Sequence, residues 1–89
     1  MSIVKRAFAG TMESSDVYVE VEPSKGGLHV ELESVVLAQF GGAIQQVVLD
    51  VLVEQGVEDA IIRIVDRGAL DCVIRARVET AILRGKGEV

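Results

Sequence analysis

The stretch Leu28-His29-Val30-Glu31-Leu32-Glu33-Ser34-Val35-Val36-Leu37-Ala38-Gln39-Phe40 contains the change of period on which the fold turns. Up to Glu33, Leu28, Val30 and Leu32 alternate with His29, Glu31 and Glu33, which predicts a strand with one apolar and one acidic face. From Ser34 the repeat lengthens. Val36, Leu37, Phe40, Ile44, Val47, Val48, Val51 and Leu52 recur at steps of three and four, tracing the apolar stripe of a long helix with Ser34 as its N-cap. Gly41-Gly42 interrupts that helix at about 1 kcal/mol each relative to Ala, tolerable where the backbone approaches the sheet or the helix bends. Gly56 is expected to end it.

On the N-terminal side, Val17, Val19 and Val21 alternate with Tyr18, Glu20 and Glu22, repeating the same apolar-in, acid-out design. Pro23-Ser24-Lys25-Gly26-Gly27 supplies turn residues between the two strands, so a hairpin with one shared solvated face is expected. An additional short strand is predicted over roughly Arg6 to Ala9. On the other side, Asp59-Ala60-Ile61-Ile62-Arg63-Ile64-Val65-Asp66 reads as a mostly buried strand. After the Arg67-Gly68 turn, Leu70, Val73, Ile74, Val78, Ala81 and Ile82 form the stripe of a second helix, with residues 84–89 expected to fray. The predicted fold is α+β, a two-layer α/β sandwich in the order β-β-β-α-β-α. Its mixed sheet has about four strands, the third and fourth parallel across the long helix, with both helices on one face.

All 89 residues fit one domain, 1–89, and 49% apolar with 26% charged residues suits a folded globule. A formal charge of −5, with no basic cluster beyond Lys5-Arg6, argues against nucleic acid as a partner. Three aromatics, Phe8, Tyr18 and Phe40, give no base-stacking platform. No apolar run approaches the roughly 18 residues of a membrane span, and no apolar signal core opens the chain. Together with a lone cysteine, Cys72, this sets the expectation of a cytoplasmic protein outside any membrane.

Conventional catalytic machinery is sparse. His29 sits among outward acids with no nucleophile beside it, so it reads as a solvated histidine. Cys72 opens the last helix, where a thiolate is favoured, although a buried structural cysteine is the plainer reading. Glu20, Glu22, Glu31 and Glu33 lie on a flat sheet face, which seldom encloses a cation, so no metal is expected. Arg75, Arg77 and Arg84 read as a solvated face, and the helical stripes as core. One loop stands apart. Gly10-Thr11-Met12-Glu13-Ser14-Ser15-Asp16 offers two adjacent hydroxyls flanked by carboxylates, either a self-satisfied polar turn or an exposed point of attachment.

At this loop the chain resembles the citrate lyase acyl carrier protein (gamma chain) family. The resemblance runs through Ala9-Gly10-Thr11-Met12-Glu13-Ser14-Ser15-Asp16-Val17, then Gln39-Phe40-Gly41 and Ala43-Ile44, then Gly68-Ala69-Leu70-Asp71-Cys72 and Ile74-Arg75-Ala76-Arg77-Val78. Two separated blocks in matching order make it specific and extend it over nearly the whole length. The resemblance implies a non-catalytic carrier subunit. The family's serine after glutamate, by position Ser14, bears 2′-(5″-triphosphoribosyl)-3′-dephospho-CoA through a phosphodiester, with Glu13, Ser15 and Asp16 as neighbours. The thiol of that group holds acetyl and citryl thioesters, leaving Cys72 no thioester role. Implied partners are the citrate lyase alpha and beta chains, the transferase that synthesises the holo-carrier, and the acetylating ligase. A malonate decarboxylase carrier, using the same kind of prosthetic group, is the close alternative. A small α/β interaction domain without a covalent group is the alternative of another class. The Asp-Ser-Leu attachment motif of four-helix acyl carriers is absent.

Overall fold

The computed structural model describes residues 2–88. Six elements follow one another: β1 (Ala7–Gly10), β2 (Val17–Pro23), β3 (Leu28–Ser34), α1 (Leu37–Glu54), β4 (Ala60–Asp66) and α2 (Asp71–Lys86). The strands form one sheet in the order β1-β2-β4-β3, so the expected two-layer α/β sandwich with a mixed four-stranded sheet is the fold. β2 is antiparallel to both β1 and β4, and β3 is parallel to β4.

The sheet departs from expectation at one pairing. β2 and β3 do not form a hairpin, because β4 lies between them, and the hairpin is instead β1–β2. The physical reason is visible in the register. Glu20 and Glu31 each pair with Arg63 on opposite sides of β4, whereas direct β2–β3 pairing would set acid beside acid. β4 is also the most continuously apolar strand, suited to a central position.

The core forms where the inward faces of the strands meet the helices. Val17, Val19, Val21, Ala60, Ile62 and Ile64 oppose Ile44, Val48, Val51 and Leu52 of α1 and Ile74, Val78, Ala81 and Ile82 of α2. Each large side chain buried this way contributes about 1.5–3 kcal/mol. α2 packs on β1 and β2, and α1 lies beside it toward β3. Helix α2 runs to Lys86, into the stretch from residue 84 where fraying was expected. Gly85 is buried, its carbonyl accepts the Val4 and Lys5 amides, and Gly87 closes α2 in the left-handed conformation; Val89 lies outside the described residues.

The stripes overrun the core. Phe40 and Leu37 in the first turn of α1, and Leu70 just before α2, are exposed although all three continue the apolar pattern. Ser34 is not the N-cap of α1 either. It closes β3, and the cap position falls to Val36, with no side-chain cap. The serine hydroxyl donates to the buried Asp66 carboxylate at 2.7 Å and accepts the Val36 amide at 3.1 Å, a stronger arrangement than a solvated cap. Glu20, expected on the solvated face, is buried beneath Arg6 and Tyr18, both of which donate to its carboxylate.

Candidate attachment site

The register brings three connections to one end of the sheet. Gly10 pairs with Tyr18, and Val17 and Ser34 both pair with Asp66. The β1–β2 loop, the β3–α1 junction and the β4–α2 junction therefore lie together at the carboxyl ends of the two parallel strands. This is where ligands gather in open α/β sheets.

Asp66 fixes the two junctions. Its side chain, 1% exposed, accepts the Ser34 hydroxyl and the Ala69 amide at 2.9 Å, and its carbonyl accepts the Val35 amide at 3.2 Å.

The β1–β2 loop is a tightly hydrogen-bonded hoop. Gly10 turns the chain at φ +88°, and a Cβ there would stand 1.9 Å from the Val17 carbonyl oxygen, so no other residue fits. Thr11 accepts the Glu13 amide and donates its hydroxyl to Asp16 at 2.7 Å. The Glu13 carbonyl accepts the Asp16 amide at 3.1 Å, closing a tight turn with Ser14 and Ser15 at its crest. Ser15 takes a left-handed φ of +65°, and its amide donates to the Arg67 carbonyl at 2.8 Å, while the Arg67 amide donates to the Asp16 carbonyl at 2.9 Å. Arg77 on α2 then grips Asp16 with Nε and Nη2 at 3.2 and 3.1 Å. The Thr11 hydroxyl, the Val17 amide and the Arg77 guanidinium hold the Asp16 carboxyl down to about 2.

Ser14, Glu13 and Ser15 are exposed, and Asp16 is half-buried beneath them. None of the hydrogen bonds that shape the hoop uses the Ser14 hydroxyl, which stands on the exposed crest of the turn. Nothing buried packs on the crest, so a group attached there would displace no core contact. Ser15 shares the exposure, but its backbone is committed to the turn. Asp16 is committed to Arg77 and is a brace for the loop.

Two residues that position this loop escape a sequence reading. Arg77 was expected on a solvated face, and its partner is 61 positions away, so no local spacing signals the contact. The anchoring groups of Arg67 are backbone. The Gly68–Cys72 block lies next to the hoop because Arg67 precedes it. Cys72 itself is an exposed free thiol, contrary to the buried structural role expected, since the first turn of α2 projects past the core edge. His29 is exposed, as expected, with Nε2 3.2 Å from the Gly26 carbonyl. A groove of about 420 Å³ opens beside the hoop, between Val36, Phe40, Ala43 and Ile44 on one side and Gly68 to Asp71 on the other.

Residues 4–85 match the family model described as the malonate decarboxylase delta subunit (MdcD), an acyl carrier model. A citrate lyase acyl carrier protein of Pectobacterium atrosepticum is 56% identical over 84 residues, covering 94% of this chain and 88% of the relative. The citrate lyase acyl carrier protein 2 of Salmonella paratyphi A is 53% identical over 85 residues, with the same coverage. The chain belongs to the citrate lyase acyl carrier protein family. The similarity of this acyl carrier extends to a solved structure, a Pseudomonas malonate decarboxylase hetero-tetramer in complex with malonate. A chain of that assembly superposes with a TM-score of 0.82 at 26% identity, covering 93% of this chain and 86% of the other. Acyl carriers hold a covalently attached prosthetic group, and among the described residues of this family member no helix is long and apolar enough to cross a membrane.

Proposed function

We propose that the protein is the acyl carrier subunit of a citrate lyase, a non-catalytic member of a multi-subunit complex acting in the cytoplasm. Ser14 is its attachment residue, esterified through a phosphodiester to 2′-(5″-triphosphoribosyl)-3′-dephospho-CoA. When bound, that group supplies a thiol for acetyl and citryl thioesters during cleavage of citrate to acetate and oxaloacetate. The chain's own contribution is mechanical. Asp16, Thr11 and Arg77 hold the hoop rigid, Ser15 turns it, and Glu13 and Ser14 face outward to the transferase. A tethered substrate meets each catalytic site at an effective concentration set by the tether and not by bulk diffusion. The partners in this reading are the lyase alpha and beta chains, the transferase and the acetylating ligase.

The observation that carries the reading is the exposed Ser14 hydroxyl, free of the loop's own hydrogen bonds, in a chain 53–56% identical to citrate lyase carriers. Co-expression with the transferase and with the enzyme that makes the prosthetic precursor should add its mass at Ser14, and Ser14→Ala should abolish both the added mass and citrate cleavage. An unmodified chain under those conditions, or an active Ser14→Ala complex, overturns the proposal.

The structural likeness to a chain of the malonate decarboxylase assembly favours a second reading, a carrier for malonate decarboxylation on the same serine. Loading assays with citrate lyase and malonate decarboxylase subunits separate the two.

A further inference from the structure

We propose that the groove between the start of α1 and the β4–α2 junction is a resting site for the distal, pantetheine-like end of the group tethered at Ser14. The inference rests on the Ser14 reading and adds a second binding surface to it. Position is the first argument. The Ser15 amide bonds the Arg67 carbonyl at 2.8 Å, so the hoop sits against the residue from which the groove wall, Gly68 to Leu70, continues. Gly68 turns there at φ +92°, with its Cβ direction 4.0 Å from the Val35 side chain, which brings the wall against the β3–α1 junction.

Chemistry is the second argument. Phe40 is 54% exposed and Leu70 71%, apolar side chains of the lining left bare where both stripes outrun the core. Asp71, at the rim, is the one charged residue in the lining. A chain of methylenes and amides suits such a wall, whereas the anionic nucleotide half of the group does not. Preorganisation is the third. Asp66 ties Ser34 on one side of the groove and Ala69 on the other, so both walls are held by the same buried carboxylate.

Size selects the occupant. About 420 Å³ falls within the range of roughly 300–1,000 Å³ found for small-molecule sites. Eight lining residues are far fewer than the roughly 20–30 per side of a stable protein interface. A covalent tether also raises local concentration enough for a weak groove to be occupied.

The test compares isolated apo and holo chains in a Cys72→Ser background, which removes the competing exposed thiol, with loading at Ser14 confirmed by mass. Holo-specific amide shifts are expected at Phe40, Ala43 and Gly68 to Leu70 as well as in the hoop. Ala43→Glu, at an exposed helical position, should confine the shifts to residues 11–16. It should also speed reaction of the tethered thiol with an aromatic disulfide about threefold, as for an end docked about two-thirds of the time. A loaded chain whose shifts never leave the hoop, with equal thiol rates in both proteins, overturns the inference while leaving Ser14 intact. Groove shifts that depend on chain concentration assign the groove to a second copy, and shifts that need added lyase subunits assign it to a protein partner; either overturns it. No mass gain removes the Ser14 reading and this inference together.

Discussion

Arg77 and Asp16 are joined by a two-pronged ion pair, Nε to Oδ1 and Nη2 to Oδ2, that fastens the β1–β2 hoop to helix α2. Arg77→Ala removes both prongs. With the Arg77 side chain 42% exposed, solvent screening limits the loss to about 0.5–1.5 kcal/mol of stability, read as a lower urea midpoint. Arg77→Lys should recover less than half of it, because an ammonium cannot reproduce the fork. The same variants should slow loading of Ser14, and full-speed loading in Arg77→Ala would show that the hoop keeps its shape without the clamp.

The Asp16 carboxyl, held at about 2 chiefly by the Thr11 hydroxyl and the Val17 amide with Arg77 behind them, makes the hoop acid-resistant. Its folded value lies below the unfolded one, near 3.8. The stabilisation is therefore complete above about pH 4 and is lost as pH falls through about 2. A carboxyl titration by NMR should show Asp16 still ionised at pH 3, with Thr11→Val shifting it upward. An Asp16 that titrates near 4 in the unaltered chain sinks the assignment.

Ser14 and Ser15 should respond differently to substitution. Ser14→Ala, on an exposed crest, should leave stability within about 0.5 kcal/mol of the parent. Ser15→Gly relieves a left-handed residue and should be neutral to about 1 kcal/mol stabilising while still accepting the group at Ser14. Loss of loading in Ser15→Gly, with Ser14→Ala still loaded, would transfer the attachment to the second serine.

Gly10→Ala places a methyl 1.9 Å from the Val17 carbonyl oxygen at a positive φ. Thermal unfolding should show a loss of roughly 2 kcal/mol or more, with amide shifts concentrated in residues 10–17. Gly42→Ala, where a Cβ meets open space, should stabilise helix α1 by up to about 1 kcal/mol.

Elements were legible in the sequence wherever a period was sustained. Alternation over Val17–Glu22 and Leu28–Glu33 and the helical stripes of residues 36–52 and 70–82 correspond to β2, β3, α1 and α2 within a few residues. Pairing was less legible, because alternation states which face is buried and is silent on which strand lies alongside. The Pro23–Gly27 turn suggested adjacency, yet Arg63 between two rows of acids favoured β4 in the middle. In the β1–β2 loop, Glu13, Ser14 and Ser15 are exposed, as a polar connection between two strands leads one to expect. The bracing of Asp16 by Arg77 was hidden by sequence distance. The exposure of Phe40, Leu70 and Cys72 was hidden because periodicity does not say where the core ends.

The central place of β4 also dictates when this molecule can take shape during synthesis. Until residues 60–66 leave the ribosome, β2 and β3 each hold a bare edge toward a neighbour not yet made. The hoop waits longer, since its two distant anchors, Arg67 and Arg77, come from the last quarter of the chain. A nascent polypeptide therefore carries Ser14 on an unformed scaffold until translation has passed residue 77.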